Sequence, residues 1–162
     1  MHGPEIFNDP QITMFLKLLL ATFLGGVIGT ERAVLAHQAA GTRTFSFVAL
    51  ASCLFVVVQN YVNSQYLGVV NFDPTHMAAA VVTGIGFIGA GLIIFRGDTL
   101  HGVTTAAGLW IVAALGVTVG YGLYALAVFA ELLTLIIFIG MWYVEMRFKH
   151  WFQREAEHES SQ

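Results

Sequence analysis

Charge is scarce in this chain, and cysteine nearly absent. Only 10% of its 162 residues are Asp, Glu, Lys or Arg, against roughly 25% in an ordinary soluble domain, which excludes a water-exposed surface over most of the sequence. Cys53 is the single cysteine and sits inside a hydrophobic run. An intramolecular disulfide and a thiolate metal site are thereby excluded, and a buried structural thiol is expected. The six histidines, His2, His37, His76, His101, His150 and His158, are scattered, so no helical pair points to zinc or copper. No nucleophile–base pair and no cofactor motif stands out, so neither an enzyme nor a bound cofactor is expected, and no nucleic-acid partner. The start, "MHGPEIFNDPQITMF", has acids and no Lys or Arg before Lys17. That is the reverse of a basic leader, and the first hydrophobic run is expected to stay in the mature protein.

What the chain has in abundance is long apolar runs. Apolar residues make up 57% of it and the mean hydropathy is +0.74. A bilayer-spanning helix needs about 20 mostly apolar residues. Five stretches qualify, at about 11–30, 44–63, 76–95, 103–120 and 122–145. The fold class expected is all-α, a polytopic bundle of five transmembrane helices over 1–145, with a short amphipathic tail over 146–162. "GYG" around Tyr121 is all that separates the last two runs, which predicts a tight antiparallel hairpin using Gly120 and Gly122 as permissive backbone. Six of the seven bases fall on one side of this topology, since Arg32 and Arg43 lie in the first loop, Arg96 in the third, and Arg147, Lys149 and Arg154 in the tail. The positive-inside rule then puts the N-terminus outside and the C-terminus in the cytoplasm.

The third run contains "GIGFIGAG", residues 84–91, whose spacing fits a dinucleotide-binding turn. Such a turn needs a preceding strand and an acid about 20 residues on. Here the stretch is embedded in one continuous apolar span, and Thr104 stands 20 residues past Gly84, so the nucleotide reading fails. In lipid, small residues let helix backbones approach. Ala79, Thr83, Gly86 and Ala90 form one stripe and Ala80, Gly84 and Gly91 an adjacent one, with Gly89 beside them. A packing hub is expected; a helix broken in mid-membrane is the alternative. Ala21, Gly25 and Gly29 in the first run, and Gly116 and Gly120 in the fourth, repeat the spacing. Three closely approaching helices follow, with a homo-oligomer, a dimer by preference, as a further expectation.

"GGVIGTER" (25–32), "AAGTRT" (39–44), "GIGFIGAGLI" (84–93) and "HGVTTAAGLW" (101–110) together resemble the MgtC/SapB family of bacterial inner-membrane proteins, in its order and spacing. The resemblance covers the first four spans; the fifth matches in hydrophobicity and position. It implies a five-helix module of the bacterial inner membrane, associated at family level with adaptation to low magnesium, virulence and acid tolerance. Longer members carry a soluble C-terminal regulatory domain, which is not expected here because the chain ends about 17 residues after its last span. The family usually has Arg where this sequence has His101, and Glu131 is not part of its pattern.

The polar residues that carry the resemblance collect on the expected inner face: Glu31, Arg32, Arg43, Thr44, Arg96, Asp98, His101, Thr104 and Thr105. Carboxylates are outnumbered there by guanidiniums, which argues against a magnesium cage. A small anion fits better, held by Arg43 and the N-termini of the second and fourth spans. The plainer reading is a set of ion pairs closing helix ends, with Arg contacts to anionic lipid. Glu131 lies nine positions into the fifth span, about 13 Å deep, where a charge costs at least about 2.5 kcal/mol. Lys17, Thr118, Thr134 or protonation are candidates to compensate it. The role is a neutral, hydrogen-bonded acid that fixes packing or a cation or proton pathway. Trp110, in mid-span, is expected to be a core residue with an interior partner for its indole N–H. In "RFKHWFQRE", Phe148, Trp151 and Phe152 among bases suggest a segment lying on the inner membrane surface, or a helix for a partner protein.

Two functions remain from the sequence. One is a non-enzymatic membrane factor in magnesium or acid stress, acting through a lipid or a membrane-protein partner. The other is a small transporter or channel for Mg²⁺, another cation or protons.

Overall fold

The structure, a computed structural model, describes residues 9–35, 40–66, 73 and 75–159, with the side chains of 142, 145, 146 and 148–159 outside the described set. It is an all-α bundle of five helices: α1 (Pro10–Val34), α2 (Thr42–Gln65), α3 (His76–Leu92), α4 (Val103–Gly120) and α5 (Tyr124–Glu159). α1 opens at the sequence's own signal. Pro10 occupies the first helical position, and the Asp9 carboxylate accepts a bond from the Gln11 N–H at 2.9 Å, meeting one of the donors that a helix start leaves unpaired. α1, α2, α4 and the Tyr124–Met141 part of α5 are long and apolar enough to cross a membrane. α3 is shorter, 17 residues, or about 25 Å.

α3 falls short of the expected 95 because the chain turns into a β-hairpin. β1 (Ile94–Arg96) pairs antiparallel with β2 (Thr99–His101), Arg96 facing Thr99 across the turn. Gly97, at φ +60°, supplies the left-handed turn position. Gly102, at φ +88°, then starts α4 packed directly on the Leu92 carbonyl, where any side chain would collide. The α4–α5 hairpin forms as anticipated, but only Gly122, at φ +83°, has the permissive backbone. Gly120 has another role: a Cβ there would sit 2.7 Å from Val56, so it lets α4 approach α2.

That close approach builds the core. A Cβ on Gly25 would lie 2.7 Å from both the Phe45 carbonyl oxygen and the Ala49 Cβ, and one on Gly29 2.7 Å from the Thr42 Cα; Gly116 abuts the Ala49 carbonyl. α1, α2 and α4 are thus in backbone contact, whereas the small-residue spacing points to α1, α3 and α4. Around these contacts Ile28, Phe45, Cys53, Leu109, Val112 and Val119 are fully buried. α5 packs on α4 and α1 along a row made by Ala127, Glu131, Thr134 and Phe138. Outward-facing side chains such as Phe15, Phe23, Phe87 and Ile136 are large and apolar, as a lipid-facing surface requires.

The third helix corrects the sequence reading. It is continuous, without a mid-membrane break, and packs chiefly on α4. Ile85 is its one buried residue. Gly84, Gly86 and Gly91 would offer a Cβ nothing within 4 Å, and Gly89 only the Ala106 methyl at 3.7 Å. Within one chain three of these four glycines pack against nothing and the fourth makes one ordinary contact, so the hub is α1–α2–α4 instead. Trp110 is likewise no core residue, being 51% exposed.

Candidate functional site

Two polar regions stand out: one end of the bundle, rich in bases, and the buried row on α5. The first is less unified than the sequence suggests. Glu31 and Arg32, in the last turn of α1, are buried, with 9% and 6% exposure. An Arg32 Nη1 to Glu31 Oε2 distance of 3.9 Å joins them, and the guanidinium lies 4.6 Å from the centre of the Phe138 ring, a cation–π contact that ties α1 to α5. Glu31 Oε2 and Arg32 Nε make no hydrogen bond. This pair is therefore a buried brace, separate from the exposed cluster in which the sequence placed it.

Arg43 and Thr44 are exposed in the first turn of α2. Arg96, Asp98 and His101 are exposed on the hairpin, where the Thr99 hydroxyl donates to the Arg96 carbonyl at 3.0 Å and lies 2.9 Å from His101 Nε2. Thr104 is exposed and Thr105 buried, in the first turn of α4. Among the described residues, Arg43, Arg96 and Asp98 form no ion pair with one another, so of the closing network anticipated from sequence only the Glu31–Arg32 pair is formed. The helix starts behind them are plain: Gly41 and Gly102 precede α2 and α4, and neither end carries a side-chain cap. At the opposite end, Asp73 Oδ1 accepts from the Thr75 hydroxyl at 2.7 Å and from its N–H at 2.8 Å, which holds the carboxyl below its usual range.

The second region is Glu131. It is 4% exposed, and neither carboxyl oxygen has a hydrogen-bond partner. The candidates to compensate it have other bonds. Lys17 reaches from α1 to the Gly120 carbonyl at 3.0 Å, and the Thr118 and Thr134 hydroxyls turn back onto the Ala114 and Ala130 carbonyls. The hydrogen-bonded packing acid foreseen from sequence is thus not what the structure contains. Among the described residues, no group of three His, Cys, Asp or Glu side chains converges as a metal site would require.

Sequence reasoning missed three partners. Phe138 follows Ala127, Glu131 and Thr134 at helical spacing, a signal that was available. Gln59, buried in α2, donates to the Asp73 carbonyl at 3.3 Å and so ties the end of α2 to the start of α3. The Thr30 and Thr42 hydroxyls meet at 3.0 Å where α1 and α2 converge. No pattern in the sequence pairs either of these.

The MgtC family model matches residues 18–147. The chain is 40% identical over 124 residues, 75% of its length, to an Escherichia coli K12 protein, YhiD, whose name proposes it as a magnesium transporter. It is 38% identical to Protein SapB of Bacillus subtilis over 81% of the chain, and 41% identical to Protein MgtC of Brucella abortus over 72%. The matched stretch spans 57%, 56% and 46% of those proteins in turn, about half the length of each. No solved structure matches the chain. With apolar helices long enough to cross a bilayer and a family match over most of its length, the chain is a multi-pass membrane protein of the MgtC family.

Proposed function

We propose that this chain is the membrane module of a non-enzymatic factor of the bacterial inner membrane, which acts in adaptation to low magnesium or acid stress by binding a lipid or a membrane partner. The observation that carries this reading is the filled interior. α1, α2 and α4 meet through glycines at backbone distance, and Ile28, Phe45, Leu109 and Val112 occupy the centre with no exposure. Conduction requires polar groups along a path, whereas here the centre between α1, α2 and α4 is apolar and the exposed bases lie at one end. That end carries Arg43 and Arg96, and the positive-inside rule supports turning it to the cytoplasm. The exposed α3 stripe of Ala79, Thr83, Gly86 and Ala90 supports a homodimer as the assembled form.

Full-length protein reconstituted in liposomes and assayed with Mg²⁺-sensitive and pH-sensitive dyes tests the proposal. The expected result is flux equal to that of empty liposomes; clear Mg²⁺ or proton flux would overturn it. One observation favours the second reading, a small cation or proton transporter: the buried carboxyl of Glu131 without hydrogen bonds. The name of YhiD points the same way.

A further inference from the structure

We propose that the groove between α2 and α3 holds an acyl chain of an anionic phospholipid, with its phosphate received by Arg43 and the first turn of α2. The inference rests on the lipid-binding reading above and names its ligand.

The groove is a cavity of about 580 Å³ lined by Phe47, Val48 and Phe55 of α2 and Val81, Gly84 and Ile88 of α3, within the size range of small-molecule sites. Gly84 borders it with room to spare, since a Cβ there would meet nothing within 4 Å. α2 continues the same surface to the basic end of the bundle. Arg43 stands four residues before Phe47, and Thr44 four before Val48, so both polar residues lie one helical turn beyond the apolar lining.

The head of this surface suits a phosphate. α2 starts after Gly41 with no side-chain cap, so its first N–H groups have no side-chain acceptor and carry the positive end of its dipole. The Arg43 guanidinium adds a planar fork matched to phosphate oxygens. On the hairpin after α3, Arg96 and Asp98 are exposed and unpaired with each other, so with Arg43 these three side chains leave a net positive charge. An amphiphile with an apolar tail and an anionic head presents the same order of chemistry as the groove and its mouth. A zwitterionic headgroup brings its own cation toward Arg43 and loses part of that attraction. Since α2 crosses the bilayer from this end, the mouth falls at headgroup level and the groove among the tails.

The test uses the full chain in detergent, with binding read by native mass spectrometry and thermal shift. The probes are phosphatidylglycerol, phosphatidylcholine with the same acyl chains, and inorganic phosphate. Wild type should retain phosphatidylglycerol about fivefold more tightly, the factor expected from one basic residue at an anionic surface. Arg43→Gln should bring the two lipids level. Gly84→Leu, whose side chain enters open space, should weaken both lipids in a protein that circular dichroism finds folded. Equal retention of the two lipids by wild type would overturn the proposal, as would full protection by inorganic phosphate alone. So would a shift by Gly84→Leu from dimer to monomer, which would make the groove a contact between copies. Flux in liposomes would sink the proposed function without touching this lipid preference, so the two failures are distinguishable.

Discussion

Adding one methyl group to α1 distinguishes a glycine that sets helix spacing from one that does not. In Gly25→Ala the new Cβ would lie 2.7 Å from both the Ala49 Cβ and the Phe45 carbonyl oxygen, about 0.7 Å inside the 3.4 Å at which ordinary contact begins. One of those neighbours is backbone, so the strain cannot be relieved by a rotamer change. α1 and α2 must separate, loosening the contact between Gly29 and Thr42 one turn along. Overpacking of this kind costs about 1–3 kcal/mol, and the backbone neighbour argues for the upper part, about 2–3 kcal/mol. At roughly 2–4 °C per kcal/mol for a chain of this size, the melting temperature in detergent should fall by about 4–12 °C. Gly91→Ala is the matched control, since its Cβ meets nothing within 4 Å; it should hold stability to within about 1 kcal/mol, or gain slightly because Ala is the better helix former. Thermal unfolding of the two variants side by side, followed by tryptophan fluorescence, reads the difference. Equal melting temperatures would refute the claim that α1–α2 contact, and not glycine content as such, sets the core.

Arg32→Ala should destabilise by about 3 kcal/mol, because it strips Phe138 of its cation and leaves Glu31 buried without its partner; the double variant with Glu31→Gln, measured by unfolding, should cost less than the sum of the singles. Single cysteines at Ser64 and Asp98, both exposed, should be labelled by an impermeant maleimide from opposite sides of intact cells, with Ser64 outside, and labelling of both from one side would contradict the orientation. Gly86→Leu should convert a dimer to a monomer in native mass spectrometry without lowering the monomer's melting temperature, since its Cβ position is open; an unchanged mass would show that this stripe faces lipid. Glu131→Gln keeps the shape and removes the titrating group, so it should raise or preserve stability and leave liposome flux at background, whereas loss of a wild-type flux would establish the transport reading.

Much of the fold was legible because lipid imposes a simple code. Twenty apolar residues cannot leave backbone groups unpaired in a bilayer, so helix is the only local answer, and α1, α2, α4 and α5 appear close to where hydropathy puts them. The end of α3 was not legible, because "LIIFRGDTLHG" continues the apolar run while the Gly97–Asp98 turn and the two short strands depend on pairing across it. The site was legible as residue types and illegible as contacts. Glu31 and Arg32 read in sequence as members of the interfacial charge cluster, yet both are buried and Arg32 lies over Phe138 of α5, more than 100 residues away.

The glycines make the same point about what spacing encodes. Gly25 and Gly29 in α1, Gly116 and Gly120 in α4, and Gly84 and Gly91 in α3 all sit in small-residue rows, but only the first four have a helix against them. A small residue gives a helix the capacity for close approach; it does not name the partner. In α1 and α4 the partner is α2 of the same chain, and its Phe45, Ala49 and Val56 complete the contact. In α3 the capacity is left unused by the chain itself. Glycine in a helix costs conformational entropy and side-chain packing, yet α3 keeps four of them while burying only Ile85. The two faces of α3 differ in what they can take: Gly84 lies on the side that opens into the groove with α2, whereas Gly86 lies on the opposite side, along a row of small residues that a second helix could meet.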